Sequence, residues 1–248
     1  MPTTHFGPWD AVLLAVVTGQ ATFLAYIHDP KWKAFVYAMP LPFTVASLAL
    51  GLPMGITNVV GLTVLLAFTH AIRLLHQERS VSIVPSIVLS ALGYCAAGSL
   101  LARALPTGDR AFWLACGLTA ALALVLFLAV PPRTEPGHRS PLPVWVKAPI
   151  IAGVVVFLIV AKNTLQGFMT VFPMVGVIGA YEARHSLWTF SRQIPVMMLA
   201  MVPMMAVCRL TQDRIGLGPA LMLGWVVFLG LLVPLSRMLW SAAEGEVS

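Results

Sequence analysis

The sequence predicts an all-α membrane protein with about nine transmembrane helices. Its 248 residues are 59% hydrophobic and only 10% charged, whereas soluble domains are about 45–50% apolar and about 25% charged. The apolar residues form continuous runs and lack the two-residue alternation that is typical of strands in a membrane barrel. Because a spanning helix needs about 20 apolar residues, the chain has room for roughly eight to ten spans and for no separate catalytic domain.

Charged and Pro/Gly-rich clusters divide the chain into nine apolar segments. The first five cover residues 11–27, 34–50, 56–75, 81–101 and 112–130. The last four cover residues 146–161, 167–181, 187–208 and 218–235. The predicted domains are a four-span repeat at 1–104, a linker helix at 105–132, a polar Pro-rich loop at 133–143 and a second four-span repeat at 144–248.

An offset of 131 residues predicts an internal repeat. This offset aligns Lys31 with Lys162 and Pro42 with Pro173, and it lays spans one to three over spans six to eight, with span four nearly in register with span nine. Because a single span separates the two units, the second copy enters the membrane from the opposite side. Such a 4+1+4 inverted-topology repeat is typical of secondary transporters. The alternative is that any two sets of membrane helices look alike at this low identity.

The basic residues predict the orientation of the chain. Fifteen Lys and Arg face nine Asp and Glu, which gives a net charge of +6, and basic residues are enriched in cytoplasmic loops. With nine spans, more of them fall on the side opposite the N-terminus. We therefore expect a multi-pass protein of the cell inner (plasma) membrane, surrounded by the lipid bilayer, with its N-terminus outside and its C-terminus in the cytoplasm. No binding of nucleic acid is expected.

The second half resembles the GlpM-type family of small four-span inner-membrane proteins. The residues that carry this resemblance are VKA at 146–148, AK at 161–162, Gly167, FP at 172–173 and the stretch 178–181, which follow one another in the same order as in that family. The whole chain is similar to two such units fused through the fifth span. The resemblance implies a fold much more than it implies an activity.

Two spans are interrupted at corresponding positions of the repeat. Pro42, preceded by Pro40, interrupts span two, and Pro173 interrupts span seven among several glycines. Proline removes a hydrogen bond from a helix and frees backbone carbonyls that a neighbour, water or ligand must satisfy. Paired interruptions of this kind predict a binding site near the membrane midplane, although Pro and Gly in membrane helices also serve close packing.

The polar residues near these interruptions are the candidate substrate-binding residues. Most of them are small and often bond to their own helix, so a structural role is the alternative for each. Arg192 differs, because an ionisable residue inside an apolar segment suggests function, unless it snorkels to the nearby surface. The predicted substrate-binding set is Gln20, Pro42, Thr44, Ser47, Asn58, Thr170, Pro173, Arg192 and Gln193.

Four further residues are candidates for coupling or electrostatic roles. Lys31 and Lys162 lie at equivalent turns and, with Arg192, would attract an anionic group. Glu182 is placed to pair with Arg192 or with His185, and such a pair would respond to protons. The alternative is that these charges are solvated anchors at the ends of spans.

These features favour a transporter that moves a small anionic, amphipathic or lipid-linked solute by alternating access between the two repeats. The alternative is a non-catalytic membrane subunit or scaffold that packs small-residue surfaces, such as 93–98, against a partner membrane subunit or a second copy in a homodimer. No enzyme, metal site or cofactor is predicted. The sequence lacks catalytic motifs, and its three cysteines lack CxxC spacing.

Overall fold

A computed structural model of the protein describes residues 8–131, 133–139, 141–160, 168 and 170–245. Over these residues the chain is helical and has no strand, which confirms the all-α fold. The helices are α1 (Pro8–Tyr26), α2 (Pro30–Tyr37), α3 (Leu41–Leu50), α4 (Ile56–Arg73), α5 (Ile83–Ala104), α6 (Asp109–Ala129), α7 (Val144–Val160), α8 (Met174–Glu182), α9 (Leu187–Ile215) and α10 (Leu217–Gly245). A π-helical turn, Leu74–Glu78, extends α4.

Seven stretches of the described chain are long and apolar enough to cross a membrane. They are Pro8–Tyr26, Pro30–Leu50, Ile56–Glu78, Ile83–Ala104, Asp109–Ala129, Leu187–Ile215 and Leu217–Ser241. These seven match the predicted spans one to five, eight and nine. Helices α7 and α8, which fall in the predicted spans six and seven, are shorter. The chain is therefore built like a membrane-embedded protein, with seven stretches that meet the length of a span.

Prolines set the bounds of the two shortened or broken spans. Helix α2 ends at Tyr37 and α3 begins at Leu41, because Pro40 has no amide hydrogen and restricts the residue before it. Helix α8 begins only at Met174, directly after Pro173, and a turn precedes it at 170–171. Span 34–50 is thus broken at 38–40, and Pro42, which was predicted to interrupt it, is the second residue of α3, where the first helical turn needs no amide hydrogen. In the predicted span 167–181, the described helix begins directly after Pro173.

Local signals fix the other helix ends around the second span. The Asp29 carboxylate accepts hydrogen bonds from the backbone N–H groups of Lys31 and Trp32, with Pro30 in the first turn, so that α2 begins with an N-cap. Helix α3 ends at Gly51, whose φ of +62° is the left-handed conformation common at helix C-termini. The position of the break within the span is therefore determined by the sequence on both sides.

Helix α9 forms the centre of the bundle. It packs along α10, and α2, α4 and α6 also lie against it. Helix α1 packs against α3, α7 and α8. Among the described spanning helices α9 is the most deeply buried, whereas α5, α6 and α10 expose large apolar side chains such as Leu92, Leu118 and Val226 on the outside. An apolar outer surface of this kind is what a bilayer would cover.

The bundle has two polar ends. At one end, described residues of the 130–143 segment contact the end of α1 and the start of α9: the Tyr26 hydroxyl donates to the carbonyl oxygen of Leu142, and Trp188 Nε1 donates to that of Pro131. We call this end the linker end. At the opposite end, Arg209 Nη2 lies 2.7 Å from Asp109 Oδ1. The interruptions of spans two and seven lie between these two ends.

Candidate functional site

The break between α2 and α3 and the residues that precede α8 meet at one small cavity. Its volume is about 50 Å³, and both interruptions line it, with Pro40 and Pro42 from one and Thr170 and Pro173 from the other. Apolar side chains of α4 and α9, among them Met197, complete the wall. A water molecule needs about 10–15 Å³ of such volume. The space, here named the break cavity, therefore holds a few waters or a small group and no larger molecule in this conformation.

Gln20 closes the interruption of span two from α1. Its Nε2 donates to the carbonyl oxygens of Val36 at 2.8 Å and Met39 at 3.2 Å. Val36 is the residue to which Pro40 would donate if it had an amide hydrogen. Gln20 is itself buried. The predicted binding residue Gln20 therefore supplies the hydrogen bonds that the broken backbone lacks. A free carbonyl group inside a membrane needs such a donor.

Tyr37 is a cavity residue that the sequence analysis did not single out. It is buried, lines the break cavity and stacks on Phe190 with ring centroids 4.1 Å apart. Within the described part of the chain its hydroxyl makes no hydrogen bond. Gly176 lies so close that a Cβ on it would stand 2.8 Å from the Tyr37 hydroxyl oxygen. The only signal in the sequence was its position just before Met39 and Pro40.

The interruption of span seven is held by contacts from other helices. Asn58 Nδ2 donates to Thr170 Oγ1 at 2.9 Å, while Asn58 Oδ1 accepts from the backbone of Gly55 at the start of α4. The Tyr94 hydroxyl of α5 donates to the carbonyl oxygen of Phe168 at 2.9 Å. The structure therefore brings the predicted residues Asn58, Thr170 and Pro173 together beside the break cavity.

Thr44 and Ser47 lie on α3 behind the interruption of span two. The Thr44 hydroxyl donates to the carbonyl oxygen of Pro40 at 2.9 Å and accepts from Trp225 Nε1 at 2.8 Å. Ser47 is buried, and its hydroxyl makes no hydrogen bond within the described residues. Thr44 thus connects the broken span to α10 and does not line the cavity.

Arg192 and Gln193 lie away from the break cavity. Arg192 Nε donates to the carbonyl oxygen of Val130 at 3.0 Å, which places it at the linker end. Gln193 Nε2 donates to Ser236 Oγ at 3.0 Å. Both residues line a second, smaller pocket together with Lys31. Lys162, the predicted repeat mate of Lys31, lies outside the described residues.

A buried ion pair lies near the linker end. Lys147 Nζ of α7 is 2.5 Å from Glu182 Oε1 of α8, and both side chains are less than a tenth exposed. Lys33, also buried, donates from Nζ to the carbonyl oxygens of Glu182 and His138. Glu182 was expected to pair with Arg192 or His185, but it pairs with Lys147. The reason is that α8 ends beside the first turn of α7, whereas Arg192 reaches the 130–143 segment.

His138 and His185 lie together above this ion pair. Their rings are 4.9 Å apart, and Arg184 Nη2 lies 3.2 Å from His138 Nε2. Partial burial, followed by the neighbouring Arg184, His185 and Lys33, lowers the pKa of the His138 imidazole below its usual value. His185 was predicted to form a proton-responsive pair with Glu182, and a second histidine, His138, lies next to it.

The described side chains determine which kinds of site the protein offers, a metal site or a cavity for a small group. No group of three His, Cys, Asp or Glu side chains in the described segments is placed to hold a metal ion. The break cavity is lined by apolar side chains, one threonine and one tyrosine. Compared with known proteins, the chain matches no family model, no curated protein and no solved structure.

Proposed function

We propose that this protein is a small membrane transporter that works by alternating access, with the break cavity as its solute site. The observation that carries the proposal is that the break between α2 and α3 and the turn that precedes α8, one from each half of the chain, line the same cavity. Discontinuous helices that meet inside a membrane protein are typical of the solute sites of secondary transporters.

The contacts between the halves support an inverted repeat of nine spans. Tyr94 and Trp225 lie 131 residues apart, as Pro42 and Pro173 do. Helix α5 packs against α8, and α10 packs against α3, so each fourth span of a repeat reaches the broken span of the other half. Under this proposal α7 and the segment ending in α8 are the sixth and seventh spans. The resemblance to the GlpM-type family, with two fused units, stays a prediction.

The cavity favours an amphipathic solute over a purely anionic one. No charged side chain among the described residues lines it, and burying an isolated charge there would be costly. The cationic side chains Lys31, Lys33 and Arg192 lie at the linker end instead. A solute with an apolar part in the break cavity and an anionic group directed to that end fits both regions.

Opening the cavity requires α8 to separate from α2. Gly176 and Gly179 of α8 lie against Tyr37 and Phe190, and a Cβ on Gly179 would stand 3.0 Å from Phe190 Cζ. Because the glycines have no side chain, α8 packs closely on these aromatic rings. Small residues at such a contact allow one element to slide or rotate on the other at little cost. We propose this contact as the moving interface of the transporter.

The distribution of basic residues supports an orientation for the proposed transporter. Lys31, Lys33, Arg73 and Arg133 all lie at the linker end, where Arg73 and Arg133 both approach the ring of Trp188. By the positive-inside rule this end faces the cytoplasm. The inner membrane, the external N-terminus and the cytoplasmic C-terminus are parts of the same proposal.

Two-sided accessibility of the cavity tests the proposal. Thr170 is replaced by cysteine in a chain whose native cysteines are replaced by serine or alanine, and a membrane-impermeant maleimide is applied to either face of reconstituted vesicles. Alternating access predicts labelling of Thr170→Cys from both faces. The matched control is Leu92→Cys on the apolar outer surface, which should be labelled from neither. Labelling of Thr170→Cys from one face only, or from neither, would overturn the transporter proposal.

A surface groove favours the second candidate function, a membrane subunit or scaffold. The groove has a volume of about 740 Å³, lies between α1 and α7 and is lined largely by small residues, including Ala11, Ala15, Gly19 and Ala148. Small residues allow the close approach of another membrane helix. If this candidate is correct, the purified protein should be a homodimer or should co-purify with a partner subunit, and Gly19→Leu should separate the complex.

A further inference from the structure

A second pocket at the linker end is rich in basic and aromatic side chains. It has a volume of about 40 Å³ and lies where the first turn of α9, the last turns of α10, the start of α2 and the 130–143 segment meet. We name it the basic pocket. Its lining residues are Lys31, Arg133, Trp188, Thr189, Arg192, Gln193, Leu239 and Trp240. None of them lines the break cavity.

The three cations of the basic pocket are held in place by the fold. The Arg192 guanidinium is anchored through Nε to the carbonyl oxygen of Val130. The Arg133 guanidinium lies over the Trp188 ring, 3.6 Å from its centroid. Lys31 stands in the first turn of α2, where its backbone N–H bonds to the Asp29 carboxylate at 2.7 Å. A preformed arrangement of this kind lowers the ordering cost of binding.

Glu135, which lies beside this pocket, is already engaged. Both oxygens of the Glu135 carboxylate accept hydrogen bonds from backbone N–H groups at the start of α9, at 3.1 Å from Trp188 and 2.6 Å from Thr189. Its charge therefore offsets the positive end of the α9 dipole. The Asp29 carboxylate is likewise engaged, because it accepts from backbone N–H groups at the start of α2. Among the described residues of the rim, three cations therefore stand beside two carboxylates that are bonded to helix N-termini, and the excess of positive charge attracts anions.

Aromatic residues place the pocket at the depth of the lipid headgroups. Trp32, Phe35 and Trp240 form a cluster with ring centroids 5.2 to 5.8 Å apart, and Trp32 is more than half exposed. Tryptophan is enriched at the interface between membrane and water. Trp240 belongs both to this cluster and to the wall of the basic pocket, so an apolar surface continues directly from the cationic one.

We propose that the basic pocket binds the phosphate group of an anionic membrane lipid, whose glycerol and upper acyl chains lie along the cluster of Trp32, Phe35 and Trp240. Arginine guanidinium groups match the geometry of phosphate oxygens, and two of the three cations are arginines. A soluble phosphate ester shares this chemistry, but it would make no use of the adjoining aromatic surface. This lipid site is separate from the proposed solute site.

The experiment compares retention of phosphatidylglycerol and phosphatidylcholine. Protein reconstituted in nanodiscs that contain equal amounts of the two lipids is transferred to mild detergent, and the lipids that remain bound are measured by native mass spectrometry. The wild type should retain phosphatidylglycerol preferentially. Each of Lys31→Gln and Arg133→Gln should reduce this preference about fivefold. Arg79→Gln, which removes an exposed cation at the same end but outside the pocket, should leave it unchanged.

Three results would overturn the lipid site. The first is equal retention of the two lipids by the wild type, and the second is an unchanged preference in both pocket variants. The third is full displacement of phosphatidylglycerol by an equimolar amount of glycerol phosphate, which would assign the pocket to a soluble anion. If Arg133→Gln does not fold, Arg133→Lys tests the same point. It keeps the charge and should retain part of the preference.

Discussion

Tyr94 and Trp225, which lie 131 residues apart, each donate a hydrogen bond from an aromatic side chain to an interrupted segment of the opposite half of the chain. The Tyr94 hydroxyl donates to the carbonyl oxygen of Phe168, and Trp225 Nε1 donates to the hydroxyl of Thr44, both within 3 Å. A backbone that proline interrupts inside a bundle depends on such donors. The two bonds therefore join the halves at the places where their helices are incomplete.

Removing the Tyr94 hydroxyl should destabilise the fold. In Tyr94→Phe the buried carbonyl oxygen of Phe168 loses its donor, so we expect the free energy of unfolding to fall by about 1–3 kcal/mol. Denaturant titration in detergent measures this change. Tyr181→Phe, at a side chain that is 40% exposed, is the control and should have little effect. A change in Tyr94→Phe no larger than in the control would show that the bond contributes nothing.

The contact between Gly176 and Tyr37 should resist any larger side chain. Gly176→Ala would place its Cβ 2.8 Å from both the Tyr37 hydroxyl oxygen and Pro173 Cβ, so we expect a loss of about 1–3 kcal/mol from overpacking. Part of this loss should be recovered when Tyr37→Phe is added, because the hydroxyl is removed. Gly153→Ala, where nothing lies within 4 Å, should be neutral or slightly stabilising. A cost that is identical with and without the Tyr37 hydroxyl would assign the strain to Pro173 alone.

The broken spans could be predicted from the sequence, because proline lacks an amide hydrogen and restricts the backbone at its own position. Pro40 separates α2 from α3 and Pro173 directly precedes α8 whatever surrounds them, and an offset measured along the chain was enough to pair Pro42, in the first turn of α3, with Pro173. Capping signals such as Asp29 are local in the same way. The predicted meeting of the two interruptions depended on the fold, and the cavity agrees with it.

Long-range partners could not be predicted from the sequence. Lys147 and Glu182 lie in separate helices, and nothing in their spacing indicated that α7 and α8 place them 2.5 Å apart. Arg192 was predicted to lie within a span, but its partner, the carbonyl oxygen of Val130, could not be predicted from its position in an apolar run. Tyr37 was overlooked because an aromatic residue in an apolar run usually belongs to the core. Its role depends on Gly176, which is close only in three dimensions.

Breaking the buried ion pair should be more costly than breaking an exposed one. Glu182→Gln leaves Lys147 buried opposite a neutral side chain with Lys33 nearby, and we expect the free energy of unfolding to fall by about 3–5 kcal/mol. The matched control is Asp109→Asn, which breaks the Arg209 pair at a carboxylate that is 71% exposed and should cost less than about 1 kcal/mol. Lys147→Met combined with Glu182→Leu should recover much of the loss. Equal costs for the two single variants would contradict a buried pair.

Acidification should destabilise the linker end through His138. The pKa of this imidazole is lowered in the folded protein, first by burial and then by Arg184, His185 and Lys33, whereas in the unfolded chain it keeps its usual value of about 6.5. The unfolded state therefore binds the proton more readily, so stability is lost as the pH falls from that value through the lower folded pKa. Protonation would also oppose the contact between His138 Nε2 and the Arg184 guanidinium.

Thermal unfolding between about pH 5 and pH 8 measures this effect. We expect the melting temperature of the wild type to fall on the acid side, and His138→Asn to reduce that fall. His28→Asn, a substitution at an exposed histidine of the same end, is the control and should keep the wild-type profile. If His138→Asn and the wild type have the same dependence on pH, the lowered pKa of His138 is not coupled to folding, and His185 becomes the group to vary next.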